Sequence, residues 1–280
     1  MTGNGAESAQ YIPLGGERVY AMSYLSPAPR AWVLLCGPFP SDRLISLAAW
    51  AKWGRALARN GVSAVRFDYR GTGESTGRFV EIDLDSWMRD VEGVFDWAAA
   101  SSGGLPVVIH GLGLGGLLAE KVFAAGRGDG LLMWSPPAQA HDVLRQGLMV
   151  RLSMDMLLYR AGERRSAKDY IQDLKSGRPV QIDGYDWSGA LWASGERLAL
   201  DEPYRAPGEG TEPGTGRPWR HVALDDGWSP LIKSRSTLRA MNPRSAAVPP
   251  APLNRDFDGL FAPHVSWILE TARAKAERHA

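Results

Sequence analysis

A glycine-rich turn, five histidines, a pair of adjacent aspartates and a single cysteine carry most of the chemistry open to this chain. The turn reads Gly111-Leu112-Gly113-Leu114-Gly115-Gly116 and follows the apolar run Leu105-Pro106-Val107-Val108-Ile109-His110. Gly111, Gly113 and Gly116 have the spacing G-x-G-x-x-G, which holds dinucleotide phosphates when it lies between a strand and a helix. Here it follows the third buried strand rather than opening the fold. That position argues against a nucleotide, and no cofactor is expected. His110 stands three residues before Gly113. Its imidazole, with an ordinary pKa of about 6.5, suits an acid or base lining a pocket. The competing reading is a core histidine bonded to backbone. Ser135, His141 and Asp142 follow the fourth strand and could face the same space. No H-x-x-x-H or C-x-x-C spacing occurs, so no metal site is expected. Cys36 stands alone and can form no internal disulfide. The opening MTGNGAESAQ has neither a basic start nor an apolar core, so a cytoplasmic setting is expected.

The elements that must position these groups alternate in type. Apolar runs at residues 31–36, 62–67, 105–110 and 130–134 read as buried strands, and 19–24 as an earlier one. Residues 44–58 and 83–100 read as helices. Asn60-Gly61 stops the first, and Asp83 caps the second, with Leu84, Trp87, Val91 and Val94 on one face. This alternation predicts a mostly parallel central sheet with helices on both faces. It then breaks. Residues 141–174 read as two helices with no intervening strand, 186–198 as a third, and 202–218 as a Pro/Gly-rich stretch. A strand resumes at 220–224 and ends in Asp225-Asp226-Gly227. A helix at 230–241, an edge strand at 244–253 and a closing helix from Pro263 complete the pattern. The expected division is a disordered 1–10, an α/β core at 11–136 and 219–280, and a helical cap insertion with its linker at 137–218.

Two stretches resemble the α/β-hydrolase superfamily. Residues 68–75, Asp-Tyr-Arg-Gly-Thr-Gly-Glu-Ser, are similar to its D-x-R-G-x-G-x-S loop, and the strand–turn–helix over 107–116 matches the frame of its nucleophile elbow. In G-x-S-x-G the middle residue attacks. Here that residue is Gly113, which has no side chain. The turn needs φ above zero at its centre, and glycine adopts that at little cost. The resemblance implies an acid after the resumed strand, at Asp225 or Asp226. It also implies a histidine after the last strand, but residues 254–261 contain none. His264 is nearest, at the expected start of the final helix, where a side chain usually faces solvent. An oxyanion hole would use the Leu114 N–H and one from the loop after the first core strand. Pro38 and Pro40 lack an N–H, which leaves Phe39 or a neighbour as donor. Gly37-Pro38-Phe39, the non-serine elbow and residues 180–185 also resemble divergent hydrolase-like proteins associated with exosortase and surface-polysaccharide gene sets.

Composition sets outer limits. With 32 basic against 31 acidic residues there is no field for nucleic acid. No apolar run reaches the length of a membrane span. Eleven tryptophans are unusual for 280 residues, and Trp134, Ser135 and Trp228 are expected around the pocket mouth. The expectation is a non-hydrolytic α/β-hydrolase-fold protein, a pseudoenzyme that binds a small apolar or acyl-type ligand between cap and core. The alternatives are an enzyme of altered chemistry (lyase, isomerase or cyclase, without a covalent intermediate) and a hydrolase using activated water. A homodimer fits either reading.

Overall fold

The computed structural model describes residues 6–224 and 257–279. Its main sheet has eight strands in the order β1-β2-β4-β3-β5-β6-β10-β9. They are β1 (Ala6–Leu14), β2 (Glu17–Leu25), β3 (Ala31–Cys36), β4 (Val62–Phe67), β5 (Val107–Leu112), β6 (Gly130–Trp134), β9 (Gly208–Thr211) and β10 (Pro218–Val222). The five strands β4, β3, β5, β6 and β10 run parallel, and β1, β2 and β9 close the edges antiparallel. Residues 6–10, expected to be disordered, form half of β1. Their register with β2 pairs Ala6 with Leu25 and Gln10 with Ala21, so the ladder satisfies backbone that would otherwise fray. β9 was also not expected. It lies in the Pro/Gly-rich stretch and pairs with β10 at the sheet edge.

Strand alternation assigns each side chain to a layer. Odd positions of β3 (Ala31, Val33, Leu35) and even positions of β5 (Val108, His110, Leu112) face α1 (Pro40–Arg59) and α7 (Phe257–His279). The opposite set, including Leu34, Cys36, Val107 and Ile109, faces α2 (Leu84–Ser101) and α3 (Leu114–Ala124). Both faces are therefore buried, and the central strands read as unbroken apolar runs. Asp83 caps α2 as expected, accepting from the Ser86 N–H at 2.7 Å. α1 starts four residues before the expected Leu44, because Pro40 supplies the preset first-turn geometry.

The segment between β6 and β10 holds α4 (Ala140–Leu158), α5 (Ala167–Lys175) and α6 (Gly189–Arg197). It leaves and re-enters the core through a narrow neck: Ala140 N–H donates to the Leu198 carbonyl at 2.8 Å, and Leu200 N–H to Ala138 at 2.9 Å. Between α5 and α6 lies a hairpin, β7 (Val180–Ile182) and β8 (Tyr185–Trp187), where the sequence suggested only an earlier start to the helix. Its two-residue turn, Asp183-Gly184, has φ of 51° and 84°, the geometry that an Asp-Gly pair favours between twisted strands. The segment packs on the core through Phe39 against Trp187 at 5.4 Å and Phe79 against Tyr185 at 4.5 Å. The expected helix at 230–241 and strand at 244–253 lie outside the described residues. No helix among the described residues is long and apolar enough to cross a membrane.

The loop at residues 68–75 is held by two ion pairs. Arg70 grips the fully buried Asp90 of α2 through Nε at 2.8 Å, Nη2 at 2.6 Å and its own N–H at 2.9 Å. Arg43 pairs with Asp68 through both fork nitrogens, at 2.9 and 2.7 Å. Removing one partner of a buried pair strands the other without its counter-charge. Asp90→Ala should therefore cost about 3–5 kcal/mol in urea unfolding monitored by circular dichroism.

Candidate functional site

β5 passes into α3 through Gly113, which has φ of 56° and ψ of −129°. A side chain holds that conformation only under strain, and such strain clusters at functional turns. Glycine has kept the sharp turn in full. The Gly113 N–H donates to the Trp134 carbonyl, and its own carbonyl accepts from the Gly116 N–H, both at 2.9 Å. The flanking glycines are fixed by packing. A Cβ on Gly111 would sit 2.3 Å from the Gly115 carbonyl oxygen, and one on Gly115 would sit 2.2 Å from that of Gly37. A Cβ on Gly113 would meet only Pro38 among the described residues, at 3.5 Å. Apart from its chain neighbours, no other described residue comes within 4 Å of that position.

Groups expected around the vertex fall into three sets. Leu114 opens α3, so its N–H has no carbonyl within the helix and lies at the positive end of the dipole, next to Gly113. Pro38 touches the vertex and Phe39 follows it, with the Phe39 ring buried against Trp87 at 5.8 Å as well as against Trp187. Ser135, expected around the pocket mouth, bonds to the chain at and after the end of β10. At φ of 44° it donates its N–H to the Val222 carbonyl and accepts the Leu224 N–H on Oγ, each at 2.8 Å. It ties down the end of β10, immediately before Asp225. Asp225, Asp226 and Trp228 themselves lie outside the described residues. Cys36 is buried, and burial pushes its thiol up, away from a reactive thiolate.

The histidines are drawn into the core. His110 is fully buried, and neither ring nitrogen has a hydrogen-bond partner among the described residues. The expected backbone bond is absent there. Its ring lies 4.5 Å from Trp134, 5.0 Å from Trp50 and 6.0 Å from Trp53. His264 was expected at a solvent-facing helix start. Instead α7 begins at Phe257, which places His264 mid-helix, 5% exposed and 5.3 Å from the Trp134 ring. Burial lowers both imidazoles: His110 well below its ordinary range, and His264 to about 4, helped by the nearby Arg220. Trp134 is also corrected. Its carbonyl touches Gly113, but its ring is 1% exposed among His110, Trp50, Trp53 and Phe261 rather than at a pocket mouth. The even-numbered positions of β5 and β6 put these side chains on the α1/α7 face. His141 packs its ring on Trp192 at 4.7 Å, and Asp142 is exposed at the start of α4. The described residues hold no cluster of three or more His, Cys, Asp or Glu fit for a metal.

The sequence matches the hydrolase family described as serine aminopeptidase, S33, over residues 46–185, half of the chain. The chain belongs to this α/β-hydrolase family. Est1E from Butyrivibrio proteoclasticus superposes over 94% of this chain and 98% of its own at 13% identity, with a TM-score of 0.56. The same protein with ferulic acid bound matches over 68% and 71% at 19% identity, with a TM-score of 0.51. An α/β serine hydrolase without a lid, from Xanthomonas campestris, is 20% identical over 47% of this chain, with a TM-score of 0.42. The match covers only 62% of that chain's length, under two thirds of it. No curated protein matches. The superpositions show the fold. The elbow frame of the hydrolase is present here with glycine at its centre.

One feature beside the vertex was not expected as a site. A small cleft opens between the ends of β3 and β4 and the start of α1, lined by Pro38, Arg43, Ser46, Trp50, Arg66 and Asp68 among others. Pro38 and Trp50 connect it to the vertex and to the histidine cluster respectively. The sequence signal was Arg43, whose distance in sequence from Asp68 hid their pairing. The buried imidazoles carry a pH signature. Unfolded, His264 titrates near 6.5; folded, it titrates near 4, so the unfolded chain binds more protons between those values. Stability should fall as pH drops through that window. Urea melts of wild type should lose about 2 kcal/mol more between pH 7 and pH 5 than melts of His264→Leu.

Proposed function

We propose that this α/β-hydrolase-family chain forms no acyl-enzyme at its elbow and instead binds a small apolar or acyl-type ligand over Gly113, beneath the inserted helices acting as a cap. The observation that carries the reading is the vertex. Its backbone keeps the attacking geometry, yet it presents a hydrogen where acyl transfer needs an oxygen. The space that a serine would fill faces Pro38. A carbonyl or carboxylate held there would lie against the Leu114 N–H at the positive end of α3. Phe39, which follows Pro38, is packed against Trp87 and Trp187 and braces the loop beside that space. A ligand of this kind uses both features.

The second reading is acid–base chemistry without a covalent intermediate, by Asp225 or Asp226 with an imidazole. A base needs hydrogen-bond reach to the proton it takes. The enclosure of His110 and His264 among aromatic rings weighs against that, and equally against hydrolysis by activated water.

Gly113→Ser tests the reading directly. The variant should fold, at a cost of about 1–3 kcal/mol for a side chain in this conformation. It should hydrolyse p-nitrophenyl butyrate no faster than buffer, since no imidazole stands ready to activate the new hydroxyl. Turnover above background would show that a histidine reaches the vertex and would overturn the proposal. Wild type should give a saturable tryptophan-fluorescence change with dodecanoate, and a flat titration would count against the ligand class.

A further inference from the structure

The large apolar side chains that stand exposed are concentrated in one place. Apart from Tyr11, those among the described residues are Met149, Met154, Met156, Leu157, Leu158 and Tyr159, all from the second half of α4 to its end. Met156, Leu157 and Leu158 are 62%, 78% and 67% exposed. Three consecutive helical residues point about 100° apart, so the apolar surface wraps round the helix end rather than forming one stripe. Exposed apolar patches of this density mark interaction sites.

The next residues are basic. Within 157–169, Arg160, Arg164, Arg165 and Lys168 stand against Glu163 and Asp169, a local charge of +2 on a chain whose net charge is +1. All six are exposed. Arg164 spends its guanidinium on the neutral carbonyls of Met156 and Tyr159, which leaves its charge uncompensated. Arg160 and Lys168 make no ion pair among the described residues. Only Arg165 is neutralised, by Asp173.

We propose that the end of α4 and the turn after it dock on an anionic lipid surface. The apolar tip enters the acyl boundary, and Arg160, Arg164 and Lys168 sit at headgroup level. Two properties favour lipid over other occupants. A tip that is apolar on several sides is covered at once only by a medium that surrounds it, whereas a protein partner covers one face. Two copies meeting tip to tip would also bring positive charge against positive charge. Interfacial helices combine apolar burial with attraction to anionic headgroups in this way. The inference does not depend on what occupies the space over Gly113.

The test is co-sedimentation of the full chain with vesicles of phosphatidylcholine alone or with about 30% phosphatidylglycerol. Binding should require the anionic lipid and should weaken as salt rises to about 0.5 M. Leu157→Ser/Leu158→Ser should lower the vesicle partition coefficient at least about tenfold, and Arg160→Glu/Lys168→Glu should lower it comparably. Both variants should keep the wild-type circular dichroism spectrum and melting temperature, because the side chains are exposed. Tyr11→Ser should bind as wild type does. Partition no greater than to phosphatidylcholine alone would overturn the proposal. So would a concentration-dependent dimer that the double serine variant abolishes, since the tip would then be covered by a second copy.

Discussion

The structure depends on how closely α3 is laid against β5 and β3. Gly111 and Gly115 leave no space for a Cβ, and this contact sets the height at which the chain leaves the sheet and the angle at which the helix begins. The residue between them must reverse direction within one step, so Gly113 takes a positive φ whatever its side chain. The elbow geometry is therefore a consequence of packing. The loop after β3 is fixed by the same contact, because its Gly37 carbonyl lies against Gly115 and its Pro38 against the vertex. The end of β10 is brought in separately, by the Ser135 hydroxyl.

Most of the fold was legible because its signals are local. Apolar runs closed by loop-forming residues located β3, β4, β5 and β6, and the Asp83 cap located α2. The family frame at residues 107–116 predicted a positive φ at Gly113, which the backbone shows. Where expectation and structure part, the deciding contact lies far away in sequence. Residues 6–10 are small and polar, yet they gain a ladder of hydrogen bonds from β2. Arg43 and Asp68 are 25 residues apart and meet as a bidentate pair. The β7–β8 hairpin is the exception, since its Asp-Gly turn was present to be read.

The vertex was legible in the sequence, and the directions of the side chains around it were not. Trp134 was expected at the pocket mouth as the end of its strand, and His110 either in the pocket or as a core histidine. Strand alternation turns both rings to the α1/α7 face, where they form a buried aromatic cluster with His264. Ser135 was assigned to the pocket as a polar group, and it acts as a clasp between β6 and β10. These outcomes point the same way. Among the described residues, the His110 and His264 rings are enclosed in packing and the Ser135 hydroxyl is hydrogen-bonded to backbone.

The central claim is that the elbow carries no covalent chemistry. It is tested most directly by intact-mass spectrometry of the wild-type protein after incubation with a fluorophosphonate. The account predicts an unmodified mass under conditions that label a serine hydrolase to completion. A stoichiometric adduct, mapped by peptide sequencing to any serine beside Gly113, would contradict it.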